Sequence, residues 1–165
     1  MIRVNIVIAA SVLLVACDKP VSEAVKPAQQ VAAQEEMATP ETLIPKRGHD
    51  IAQITRGAEV YRQNCAVCHG PNGEGAPNWR QRDANGQFPP PPLNGDGHTW
   101  HHPLSALRYT IRNGTRAIGG TMPAWKDKLS DADIDAVIAW FQSKWPERAY
   151  IAWYDIDQRA RTRKQ

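Results

Sequence analysis

Two thiols and an imidazole stand together in Cys65-Ala66-Val67-Cys68-His69. Two cysteines separated by two residues and followed at once by histidine can be bonded by thioethers to the paired vinyl groups of a haem, with the histidine reaching the iron. Two other chemistries use paired cysteines. A zinc site takes about four protein ligands, and the further candidates, His49, His98, His101 and His102, are only loosely grouped. A thioredoxin-like redox pair follows a strand and needs no histidine. Haem attachment is therefore the expectation.

The elements that must position these residues are helical. Asp50 opens the first helix with Gln53 at capping-box spacing, and Ile51, Ile54, Ala58 and Tyr61 recur at helical intervals on one face. That helix runs into Cys65. From Gly70 to His102 the chain is rich in Gly, Pro and Asn, with Pro89-Pro90-Pro91-Pro92 barring helix and ladder alike. A loop of that length in a compact domain is usually functional, and this one could wrap a cofactor. Pro103 suits the first turn of a short helix bearing Leu104, Leu107 and Ile111, which Asn113-Gly114 stops. After a second loop, Thr115 to Leu129, Ser130 and Asp133 form a further capping-box pattern ahead of Ile134, Val137, Ile138 and Phe141. This helix should end near Lys144, because Pro146 disfavours helical geometry at the residue before it. Glu147 to Asp157 allow an extra helix with Tyr150, Ile151, Trp153 and Tyr154, and no strand is expected.

From about Ile51 to Pro146 the chain resembles the class I, mono-haem c-type cytochromes. Gly57 and Tyr61 match the glycine and aromatic of that family's N-terminal helix, and Trp140 matches the aromatic of its C-terminal helix, where the two cross. The resemblance implies an all-α cytochrome c fold of about four to five helices around one haem c, covalently held by Cys65 and Cys68 with His69 on the iron. Met122, in Gly119-Gly120-Thr121-Met122-Pro123-Ala124-Trp125, resembles the family's methionine loop and is the implied second axial ligand. A thioether there raises the reduction potential relative to two histidines. His98, His101 or His102 would be the competing ligand, or would bond locally or to the haem propionates. In the family a proline carbonyl orients the axial histidine, a place that Pro91 or Pro92 matches. Arg112 and Arg116 could pair with propionates or merely face water.

The chain has 165 residues and a net charge of +3, which suits one domain with appendages and lacks the basic excess that nucleic acid would demand. Met1-Ile2-Arg3 followed by the apolar run Val4 to Ala16 is too short to span a bilayer and reads as an export signal. Leu14-Val15-Ala16-Cys17 resembles a bacterial lipobox, which implies a lipid on Cys17 and, through Asp18, retention at the periplasmic face of the inner membrane. Residues 1–16 are thus expected as signal peptide, 17–49 as lipid-anchored flexible linker, 50–146 as the cytochrome c domain and 147–165 as an extension. Arg159, Arg161, Arg163 and Lys164 make the end of that extension basic, and read as a solvated tail.

With both axial positions filled, no open site is left for substrate. The expected role is a single-electron carrier of a bacterial respiratory chain with a six-coordinate His/Met haem, and not an enzyme. Expected partners are a quinol-oxidising complex, a terminal oxidase or a periplasmic reductase. Fixed membership of a larger complex through the aromatic-rich stretch Tyr150 to Tyr154, and a labile Met122 that admits a gas or peroxide, are the alternatives.

Overall fold

A computed structural model of the chain describes residues 45–163, so the expected signal segment, Cys17 and most of the expected linker lie outside the described residues. Within them run five α-helices: α1 (Ile51–Asn64), α2 (Ala66–His69), α3 (Leu104–Asn113), α4 (Asp131–Ser143) and α5 (Glu147–Thr162). Tight 3-10 turns occur at Thr99–His101 and Arg116–Ile118. There is no strand among the described residues; an isolated bridge between Phe88 and Gly120 ties the two long loops together. The fold is all-α.

Local chemistry sets the helix ends. The Asp50 carboxylate accepts the Gln53 N–H at 2.5 Å and starts α1. The bond expected back from the Gln53 side chain is not present among the described hydrogen bonds. Ser130 and Asp133 do close both halves of their box at the start of α4. α3 follows Pro103, which offers no capping side chain. The Leu104 N–H that this leaves open donates at 2.8 Å to Asp157 of α5, a carboxylate only 3% exposed that also accepts from Arg161 at 2.7 Å.

Packing centres on the crossing of α1 and α4. A side chain on Gly57 would run into the Ala136 carbonyl and come within 2.8 Å of Trp140 Cβ, so only glycine lets the two backbones meet there. Beside this contact Tyr61 and Trp140 pack ring on ring at 4.0 Å. Arg56 on α1 pairs with Asp133 on α4 at 2.6 Å, and Arg108 on α3 grips Asp135 through two bonds at 2.5 and 2.7 Å. Ile51, expected on the buried face of α1, is 83% exposed. Tyr61 is buried as expected, together with Gly57 and Val60, and Ile54 and Ala58 pack partly buried against the core.

The extra helix that the sequence allowed to Asp157 continues to Thr162 as α5. Tyr150 and Trp153 join Phe141 and Trp145 in the core, with Trp145 and Trp153 edge to face at 6.0 Å. Burying each such side chain contributes on the order of 1.5–3 kcal/mol. Indole N–H groups then fasten the long loop: Trp145 donates to the Leu93 carbonyl at 2.8 Å and Trp153 to that of His102 at 3.1 Å. Arg159 and Arg161, read as tail residues, lie on this helix, where Arg161 pairs with Asp157. Arg47, in the stretch expected to act as linker, donates to the last carbonyls of α4 and its exit, Gln142 at 2.7 Å and Trp145 at 2.6 Å.

Candidate functional site: a cavity between α2, α3 and two loops

Cys65, Cys68, His69 and Met122 all line one cavity of about 940 Å³. That volume falls in the ~300–1,000 Å³ range of cofactor and small-molecule sites. Its walls are largely apolar, with Leu93, Leu107, Ile111, Val137 and Phe141 among them.

The chain delivers the two thiols by a break between helices. α1 stops at Asn64 and the Cys65 N–H still donates to the Tyr61 carbonyl at 2.8 Å, while α2 restarts at Ala66. Cysteines three apart in this turn share a side of it. Both are free of disulfide. Burial, then the neighbouring Cys68, pushes the Cys65 thiol up to about 11, opposite to the lowered value of a thioredoxin-type nucleophile. The Tyr61 hydroxyl donates to the Gly70 carbonyl at 2.6 Å and pins the end of α2.

His69 is 9% exposed and its Nδ1 lies 2.9 Å from the Pro91 carbonyl. A carbonyl can only accept, so Nδ1 carries the proton and Nε2 keeps its lone pair for a metal. Burial, opposed by that bond, lowers the imidazole's pKa and keeps the ring neutral. Among the four prolines the register is set: Pro91 serves His69, and the Pro92 carbonyl accepts from Thr99 Oγ1 at 3.1 Å.

Met122 is held by its backbone. Its N–H donates to Thr115 Oγ1 at 3.1 Å and its carbonyl accepts from the Thr115 N–H at 3.0 Å, while Trp125 N–H returns to Ile111 at the end of α3. Gly114, at φ 71°, lies so close to the Met122 carbonyl that a Cβ there would stand 2.5 Å from it. The methionine loop thus folds directly onto the α3 stop signal.

His98 and His102 also line the cavity, and His101 does not. His101 packs against Trp100 at 3.8 Å, and His49 lies elsewhere, edge-on to Tyr150. No three His, Cys, Asp or Glu side chains converge to hold a metal among the described residues. Arg112, a candidate for propionates, instead pairs with Asp131, and neither it nor Arg116 reaches the wall. The arginines that do are Arg80 and Arg82, which sequence reasoning missed; each lies 4.2 Å from an aromatic ring, Trp79 and Phe88 respectively. The available signal was two arginines placed two residues apart directly after Trp79 in the long loop. Two thiols, an oriented neutral imidazole, a thioether and apolar walls are a donor set that fits a covalently attached haem.

The comparisons with known proteins agree. Residues 52–141 match the family described as cytochrome c oxidase, cbb3-type, subunit III. The chain is 35% identical to a cbb3-type cytochrome c oxidase subunit CcoP of Azospirillum brasilense over 56% of its own length and 28% of that protein. It is 37% identical to a thiosulfate dehydrogenase of Stutzerimonas stutzeri (strain A1501), over 64% of this chain and 31% of that one. With a cytochrome c6 of Cladophora glomerata it shares 37% identity over 53% of its length and 85% of that protein. The chain thus spans about a third or less of the oxidase subunit and dehydrogenase, and most of the cytochrome c6. No solved structure gives a significant match. The chain belongs to the cytochrome c oxidase, cbb3-type, subunit III family, and is a c-type cytochrome of electron transfer, a family that implies covalently bound haem c.

Proposed function

We propose that this protein carries single electrons through one haem c, bonded to Cys65 and Cys68 and ligated by His69 and Met122. The observation that carries the reading is the convergence of these four side chains on one cavity, with the His69 proton already committed to the Pro91 carbonyl. When bound, the haem supplies a one-electron ferrous/ferric couple. The residues around it hold and shield. Cys65 and Cys68 fix it to a helical turn, the Pro91 carbonyl sets the face that His69 presents, and the Thr115 to Met122 bonds hold the thioether at the wall. A stiff, apolar enclosure undergoes little rearrangement when charge changes, which favours transfer of electrons over chemistry on a bound substrate.

The sequence features outside the described residues support export and attachment. In this reading residues 1–16 are removed, Cys17 is lipidated, and residues 17–49 tether the domain of residues 50–146 and its extension, 147–165, to the periplasmic face of the inner membrane. The tether raises the effective concentration of membrane-bound partners, and the encounters are of the small, short-lived redox kind. A cbb3-type terminal oxidase is the favoured acceptor, since CcoP is the name borne by one of the relatives. Quinol-oxidising complexes and periplasmic reductases are the other partner classes.

Absorption spectra test the ligation. The oxidised protein should show the weak long-wavelength charge-transfer band of methionine-sulfur ligation, and Met122→Ala should lose it while keeping the haem. Absence of the band from the native protein, or carbon monoxide binding to its reduced form at neutral pH, would overturn a closed His/Met site.

A further inference from the structure

On the cavity wall the polar side chains are mostly spoken for. Tyr61 bonds Gly70, Asn64 bonds the Val60 carbonyl at 2.9 Å, Thr99 bonds Pro92, and Thr115 receives the Met122 N–H. Beyond the thiols and His69, the ionisable wall residues without such a commitment are Arg80, His98 and His102; Arg82 already donates to the Gly86 carbonyl. Among the described residues no Asp or Glu lines the cavity.

The two histidines form a built pair. His98 stacks on Trp79 at 5.3 Å and 23°, and His102 meets it edge-on at 5.5 Å. Their backbone is fixed on both sides, by Thr99 to Pro92 and by the Trp153 indole to the His102 carbonyl. Neither imidazole ring has a hydrogen-bond partner among the described side-chain bonds. The charged and titratable groups nearby are Arg80, over Trp79, and His101, next in chain to His102. The carboxylates of the flanking segments have partners of their own: Asp96 accepts from Asn94, and Asp157 from Leu104 and Arg161.

We propose that the His98–His102 pair takes up one proton when the cavity's redox group takes up one electron, so that the reduction potential falls as pH rises. The inference rests on the haem reading above. The electron comes from the donor redox partner and the proton from solvent; the proton adds to a free imidazole nitrogen, no bond breaks, and the net charge of the site is unchanged. An imidazolium on this wall is repelled more strongly by a ferric than by a ferrous centre, because the apolar surroundings screen charge poorly. Burial first, then the neighbouring histidines and Arg80, already lowers the pKa of His98, and burial and His101 lower that of His102. Imidazoles are the groups that change charge between about pH 5 and 8.

The test is a spectroelectrochemical titration of the haem-loaded protein across that range, with His98→Gln/His102→Gln and, as a control off the wall, His101→Gln. The native protein and the His101 variant should show a reduction equilibrium that weakens by up to tenfold per pH unit, about 59 mV; the double variant should be flat. A flat profile in the native protein, or a slope that survives in the double variant, overturns the proposal while the carrier reading stands. Absence of a haem spectrum would overturn that reading instead. If the double variant fails to hold haem, proton NMR titration of the two imidazoles in the native ferric and ferrous states decides. Higher pKa values in the ferrous state are expected, and equal values refute the coupling.

Discussion

Replacing Gly57 by alanine tests the geometry on which the haem-side architecture rests. In an exposed helix the change would stabilise by about 0.5–1 kcal/mol, since alanine loses less backbone freedom on folding. At this position the new methyl group meets the Ala136 carbonyl and stands 2.8 Å from Trp140 Cβ, and the obstacle is largely backbone. α1 and α4 must separate, which loosens the Tyr61–Trp140 pair now at 4.0 Å. Overpacking of this kind costs about 1–3 kcal/mol and the aromatic pair is worth about 0.5–1.5 kcal/mol beyond its burial. Against the propensity gain, the net expectation is a loss of about 1–3 kcal/mol. Urea unfolding of the haem-loaded protein reads it as a lower midpoint at unchanged slope. Gly48, with nothing within 4 Å of an added Cβ, supplies the control, and Gly48→Ala should leave stability within about 0.5 kcal/mol. A Gly57→Ala protein as stable as the native one would refute the close crossing.

Asp157→Ala should cost about 1–3 kcal/mol by leaving the Leu104 N–H without a partner, whereas Asp157→Asn, which keeps an acceptor, should cost less; thermal unfolding of the pair of variants checks this. The bond from Ser130, then the Arg56 guanidinium, hold the Asp133 carboxyl below the ordinary carboxylate range. Its contribution is therefore present above about pH 4 and lost as pH falls through the depressed value, so Arg56→Gln should move acid unfolding to higher pH. Trp145→Phe removes the indole bond to Leu93 and should raise amide hydrogen exchange in the long loop at unchanged haem content.

Much of this was legible in the sequence because the signals are local. Asp50 and Ser130 mark helix starts, Asn113-Gly114 and Pro146 mark stops, and the two cysteines with His69 follow a helix; the crossing at Gly57 and Tyr61 came from the resemblance to class I cytochromes c and not from a local signal. What was not legible depends on distant partners. No spacing rule reveals that Asp157, 53 residues away, caps α3, or that the Pro91 carbonyl and not that of Pro92 accepts the His69 N–H. Ile51 has the right period to be buried and is not, since periodicity gives the face of a helix and not how far its neighbour extends. Arg112 and Arg116 looked as suitable as Arg80 and Arg82 by type; the pairing of Arg112 with Asp131 and the path of the long loop decided between them.

The central claim is that a haem is covalently joined to Cys65 and Cys68. Intact-protein mass spectrometry under denaturing conditions measures it directly, followed by fragmentation of the peptide that contains both cysteines. The expected result is the added mass of one haem, retained through unfolding and located between residues 65 and 68. A polypeptide of bare mass from cells competent to attach haem, or a haem that dissociates on denaturation, would contradict it.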